Sequence, residues 1–184
     1  LSIGKICKEK GIYFCVDGAQ SVPHMKVDFI GSNIDFLSFS GHKMCGPTGV
    51  GVLVGKKELL DKMDPIFYGG GMNQYFENDN SYELKSSPVK FEAGTPPIAE
   101  VIGLREAILY LQSIGMDNIH EHEVDLKKKL VAELEKIPNI ILYNRTSNSG
   151  ILSFNIDGVF AQDSSIYLNN YNIYVRAGNH CAKM

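Results

Sequence analysis

The sequence has 184 residues, 44% of them hydrophobic and 21% charged, with a formal net charge of −3 and a pI near 6.0. This balance fits one large globular domain or two small ones and offers no basic footprint for nucleic acid. No apolar run approaches the roughly 20 residues that span a bilayer, and the opening residues do not read as a secretory signal. The chain starts on LSIGKICKEKGI, the tail of an amphipathic helix, with no initiating Met, and is expected to be a piece of a longer protein. Cys7, Cys15, Cys45 and Cys181 form no C-x-x-C pair and no zinc-ligand spacing. Their scatter points to a reducing compartment, the cytoplasm or an organellar matrix.

In chain order, the apolar run IYFCV (12–16) ends on Asp17-Gly18 and reads as a buried strand stopping at a turn. A second strand is expected around 35–39 and a third in GVGVLVG (49–55). Apolar runs without strict alternation suit strands covered on both faces, as in an α/β sheet. The Gly-, Asn- and Ser-rich stretch 68–87 reads as a long functional loop. Pro96-Pro97 then opens a helix that closes at Gly115. A second helix is expected over about 118–137, with Ile119, Leu126, Leu130, Leu134 and Ile137 on its apolar face. GILSFNID reads as a strand, 163–170 as a short helix and NIYVRA as a last strand. The order implies part of an α/β domain over 1–111 and a smaller α+β domain over 112–184.

Asp17 follows one apolar strand, and Lys43 follows another in SFSGHKMCGPTG. In open α/β sheets ligands bind beyond the carboxyl ends of the strands, so both residues fall where a cofactor would lie. Pyridoxal phosphate needs an amine to bind its aldehyde and an acid that keeps its pyridine nitrogen protonated. The amine must also lose its proton, which partly desolvated or cationic surroundings favour. On position alone, a turn-capping Asp17 and a solvated Lys43 explain the same residues more simply. A phosphate-loop NTPase is excluded, because G-H-K-M-C-G-P-T-G lacks the order G-x-x-x-x-G-K-[ST].

VDGAQS (16–21) together with SFSGHKMCGPTGVGVL (38–53) resembles the class V branch of the fold-type I pyridoxal-phosphate enzymes, and within it the cysteine desulfurases. The resemblance implies that Asp17 pairs with the pyridinium nitrogen and Gln20 with the ring's phenolic oxygen. It makes Lys43 the Schiff-base lysine and gives Ser40 and His42 contacts to the phosphate. FEAGTP (91–96) matches a third block, in which the Gly-Thr pair, here Gly94 and Thr95, reaches a partner subunit's cofactor phosphate. Thr95 also suits a helix N-cap, and a helix start is a natural anion site. YGGGM (68–72) resembles a loop near the active-site entrance and receives no chemical role.

VRAGNHCAKM (175–184) resembles the R-[TA]-G-H-H-C-A segment of group II cysteine desulfurases, the sulfur-mobilisation (SufS) type. It implies that Cys181 is the nucleophile that takes sulfur from L-cysteine as a persulfide, leaving L-alanine, and that Lys43 shuttles the proton. Arg176 matches an arginine near the substrate. One residue departs from the pattern: Asn179 stands where the family has the first His of the pair, whereas His180 is kept.

The resemblance further implies a homodimer and a sulfur-acceptor protein of the SUF system, serving iron–sulfur cluster assembly. It covers the whole chain but about half of the family's length, so this chain alone is expected to bind cofactor weakly and turn over poorly. Selenocysteine lyase and other class V enzymes remain alternatives, as does a non-catalytic module that docks a sulfur acceptor. Cys7 and Cys15 read as core residues, and Cys45 lies two residues past Lys43 without an assigned role. His120 and His122, two residues apart on a helix, face apart and are expected on a solvated face rather than on a metal.

Overall fold

The apolar run at 12–16 becomes a strand only at its end: strand β1 is Cys15–Asp17. The computed structural model describes residues 2–78 and 81–180. They fall into two units, Leu1–Asp117 and Asn118–Met184.

In the first unit, β1 pairs in parallel with β2 (Phe36–Ser40), which pairs antiparallel with β3 (Gly51–Gly55). The register sets Asp17 opposite Ser38 and Ser40 opposite Gly51. Helix α1 (Ser2–Lys10) approaches the turn before β2 so closely that a Cβ on Gly4 would fall 1.9 Å from the Ser32 carbonyl oxygen. At the end of the sheet away from Asp17, the Asp35 carboxylate accepts the Phe14 N–H at 2.8 Å and the Lys56 ammonium at 2.6 Å. That clasp joins the chain before β1, the start of β2 and the end of β3. The Lys56 hydrogen bond first, and the Phe14 N–H second, hold the Asp35 carboxyl below its ordinary pKa against a small opposing effect of burial.

Ile34, Leu37, Met44 and Val50 form the core under the sheet. The burial of the strands on both faces expected from the sequence does not hold among the described residues. Leu37 is covered, but Leu53 is 57% exposed and Val54 38% exposed. A short helix, α2 (Lys57–Leu60), follows β3.

The stretch read as a loop contains a hairpin, β4 (Asn73–Phe76) with β5 (Tyr82–Leu84). Aromatic contacts hold it: the Phe76 and Tyr82 rings stack at 6.0 Å, and Tyr68 meets Tyr82 edge-on at 6.2 Å. Its polar residues hid this pairing from pattern reading. Helix α3 (Ile98–Ile114) buries Leu104, Ala107 and Leu111 and ends at Gly115, whose φ of 91° suits glycine.

Helix α4 (Met116–Leu134) runs into the second unit, where β6 (Ile140–Tyr143) pairs antiparallel with β7 (Ser153–Ile156), followed by α5 (Ala161–Asn169). Strand β6 was not anticipated, although IILY between Asn139 and Asn144 is an apolar run bounded by turn residues. The expected face of α4 is also corrected. Leu126 and Leu130 are about half exposed, and the residue that is buried is Lys127, at 4% exposure. Its ammonium donates to the Asn144 carbonyl at 2.8 Å, the Ser147 carbonyl at 3.1 Å and the Ser147 hydroxyl at 2.8 Å. A charge can be buried where every donor finds an acceptor. NIYVRA forms no ladder among the described residues. The Ile173 N–H instead donates to the Leu168 carbonyl at 3.1 Å.

Candidate active site

Parallel pairing makes β1 and β2 leave the sheet at the same end, so Asp17 and Ser40 share one rim. Gly18 continues this rim: its N–H donates to the Ser38 carbonyl at 2.7 Å, and a Cβ there would lie 2.6 Å from Leu37 Cδ1. Only glycine lets the chain turn so near β2. The Asp17 carboxylate is exposed, and its Oδ1 accepts the Ala19 N–H at 2.9 Å, which orients the group and leaves Oδ2 for another donor. Gln20 lies exposed in the turn that follows.

Gly41–Lys43 forms a single 3₁₀ turn directly after Ser40. Its two ends are fastened. The buried Gly41 donates its N–H to the Val50 carbonyl at 2.9 Å, and its carbonyl accepts the Met44 and Gly46 N–H groups, each at 3.0 Å. A Cβ on Gly41 would come within 2.8 Å of Val50 Cγ1 and 3.1 Å of the Pro47 carbonyl oxygen. Met44 is 6% exposed. Helix α3 backs the segment, since a Cβ on Gly46 would meet Leu104 at 3.1 Å and one on Gly103 would meet Pro47 at 2.7 Å. Between these anchors His42 and Lys43 project exposed, and Ser40 is half-buried. The desolvated setting expected for Lys43 is therefore not supplied by the described residues.

Gly94 and Thr95 belong to a second constellation. The Gly94 N–H donates to the Gly70 carbonyl at 2.8 Å, with φ +83° at Gly94, so this amide is already committed and Thr95 carries the pair's free donors. The expectation that Thr95 caps α3 is corrected: the N-cap is Pro97, without a side-chain cap bond.

Arg176 lies exposed in the irregular segment after α5, in the second unit. Cys181 lies outside the described residues. Of the other cysteines expected in the core, Cys7 is half-buried and Cys15 is exposed; Cys45 is exposed as well. No group of three or more potential metal ligands occurs among the described residues, and no described helix is long and apolar enough to cross a membrane. A concavity of about 450 Å³ opens elsewhere, between β6, β7 and the start of α5. Its walls include Ile141, Ile156, Val159 and Phe160, with Asp157 its only titratable group. Chemistry rather than concavity therefore locates the candidate site: an amine and a carboxylate on one sheet rim, with hydroxyl and imidazole groups beside them.

The chain belongs to the class-V aminotransferase family, which it matches over residues 1–184. It is 45% identical over 177 residues to a probable cysteine desulfurase of Staphylococcus aureus, covering 95% of this chain and 43% of that protein. To a cysteine desulfurase of Haloferax volcanii it is 44% identical over 183 residues, covering 98% of this chain and 43% of that one. The crystal structure of the Escherichia coli cysteine desulfurase CsdA in an S-sulfonic acid form superposes with a TM-score of 0.88 at 39% identity, covering 96% of this chain and 44% of that one. The chain thus spans less than half the length of the relatives it matches, and the described architecture is part of the fold-type I arrangement expected from the sequence.

Proposed function

We propose that the protein is a pyridoxal-phosphate-dependent cysteine desulfurase of the group II, sulfur-mobilisation type. The observation that carries this reading is Lys43 on a turn fastened at both ends, beside Asp17 on the rim of the adjacent parallel strand. The relatives' names support it.

The donor set fits the cofactor. Lys43 would hold it through its amine, Asp17 would keep the pyridine nitrogen protonated, and Gln20 would face the phenolic oxygen. Ser40 and His42 would hold its phosphate, while Thr95 would reach the phosphate of the cofactor in the partner subunit, with Gly94 shaping the turn before Thr95. When bound, pyridoxal phosphate supplies an electron sink that stabilises negative charge at the substrate Cα. Lys43 would take the Cα proton of the substrate and return it during turnover. Arg176 assists in binding L-cysteine. The Cys181 thiolate attacks the substrate sulfur, so that an S–S bond forms as the C–S bond breaks. The electron pair of the broken bond stays with the carbon fragment, which is protonated and leaves as L-alanine.

By the same reading the protein works as a cytoplasmic homodimer and passes its persulfide to an acceptor of the SUF system for iron–sulfur cluster assembly. The present 184 residues alone would bind cofactor weakly and turn over poorly. The test uses the full-length protein with L-cysteine. Alanine and transferable sulfur should appear in equal amounts, and intact-mass analysis should find one added sulfur on Cys181. Cys181→Ala should lose that sulfur while keeping the absorbance of the lysine-held cofactor. A persulfide persisting in Cys181→Ala, or cysteine left unconsumed by the wild-type protein, would overturn the proposal.

A further inference from the structure

The glycine run at 69–71 and Met72 have no part in the chemistry above, yet they are built tightly onto the segment that carries Thr95. Met72 is completely buried, and its sulfur accepts the Gly69 N–H at 3.2 Å. Its carbonyl accepts the Lys85 N–H at 2.7 Å, which ties the loop to the end of the hairpin. From this fixed base Gly70 presents the carbonyl that binds the Gly94 N–H. Gly69 packs directly against the same segment: a Cβ there would lie 3.1 Å from the Ala93 Cβ and 3.3 Å from the Gly94 nitrogen. Gly70, one residue on, has open space where a Cβ would be.

We propose that the Gly69–Met72 loop is a positioning device for Thr95, holding its amide and hydroxyl in place for the phosphate of the partner subunit's cofactor. The inference rests on the proposal that Thr95 contacts that phosphate. Hydrogen bonding to Gly70 takes the Gly94 amide out of competition for the anion and fixes the glycine in its left-handed conformation. Thr95 then follows a peptide whose direction is set by Gly70 and whose lateral position is set by the Gly69–Ala93 contact. Phosphate binding by backbone amides depends on such alignment, because an anion is held by N–H groups that converge without rearranging.

The test compares pyridoxal phosphate with pyridoxal, which keeps the aldehyde and ring but lacks the phosphate. Binding of each to the full-length protein is followed through the absorbance of the Lys43-held ligand. Thr95→Ala should weaken pyridoxal phosphate by about ten-fold, the loss of one hydrogen bond to a charged acceptor, with pyridoxal changed by less than about two-fold. Gly69→Ala forces the Ala93–Gly94 segment to give by a few tenths of an ångström, and should weaken pyridoxal phosphate by roughly three- to ten-fold with the same selectivity.

If Thr95→Ala is selective and Gly69→Ala is not, the positioning role is overturned while the phosphate contact stands. If Thr95→Ala shows no preference between the ligands, the phosphate contact itself fails, and this inference with it. A Gly69→Ala protein that loses both ligands equally also overturns the positioning role. Met72→Leu preserves the apolar filling and removes the sulfur acceptor. It should reproduce the phosphate-selective loss of Gly69→Ala in weaker form, and full wild-type selectivity there would remove Met72 from the device.

Discussion

Two lysines, one in each unit, show opposite uses of the same side chain. Lys127 is 4% exposed, and its ammonium has acceptors from Asn144 and Ser147. Lys43 is exposed, and what is fixed is its backbone, through Gly41 and Met44 on either side. A saturated ammonium has no free valence for chemistry and serves to tie a turn to a helix. A lysine whose main chain is pinned and whose side chain is open can meet a ligand at a defined place. Burial alone would therefore have pointed to the wrong lysine.

Three substitutions would break or sharpen this contrast. The largest effect is expected from Lys43→Ala in the full-length protein, which should abolish the absorbance of covalently held cofactor. With both proteins stripped of cofactor, its unfolding free energy should change by less than about 0.5 kcal/mol, as at other exposed positions. A large loss of stability in Lys43→Ala would mean that the lysine is structural after all. Lys127→Ala should do the reverse. Removing the ammonium leaves its acceptors without their donor and should cost about 3 kcal/mol by denaturant titration, with the cofactor absorbance per folded molecule unchanged.

The smallest effect concerns another partnered lysine, Lys56, at the Asp35 clasp. The Asp35 carboxyl is held below its ordinary pKa when folded. Its contribution is thus fully present above the unfolded value near 3.8 and is lost as pH falls through the lower folded value. Asp35→Asn should lower stability at neutral pH by about 1 kcal/mol. It should also flatten the acid limb of the stability–pH curve below about pH 4 relative to wild type. An unchanged acid limb would show that the clasp adds nothing in solution.

The rim that carries Asp17 and Lys43 was legible in the sequence because apolar strand residues, glycine punctuation and chemically unusual residues coincide there. The three strands of that sheet were placed within a few residues, and the helix ending at Gly115 nearly to its limits. Other elements escaped for identifiable reasons. The β4–β5 hairpin is built on aromatic pairs among Asn, Gln and Glu, which read as loop. Strand β6 is only four residues long and follows a helix so soon that its apolar run merges with the helix pattern. The face of α4 was misjudged because leucine spacing outweighed a lysine, and no pattern rule anticipates carbonyl oxygens waiting for an ammonium. The division of labour between Gly94 and Thr95 was equally hidden, since it depends on which amide is already taken by Gly70.

The packing of α3 behind the Lys43 turn has an entropic consequence. Gly46 against Leu104 and Gly103 against Pro47 join that turn to a 17-residue helix, so its main-chain freedom is surrendered when the protein folds rather than when a ligand arrives. Ordering a backbone residue costs roughly 1–2 kcal/mol, and immobilising a lysine side chain up to about 2 kcal/mol. A ligand captured by Lys43 therefore has only the second of these to overcome at that residue.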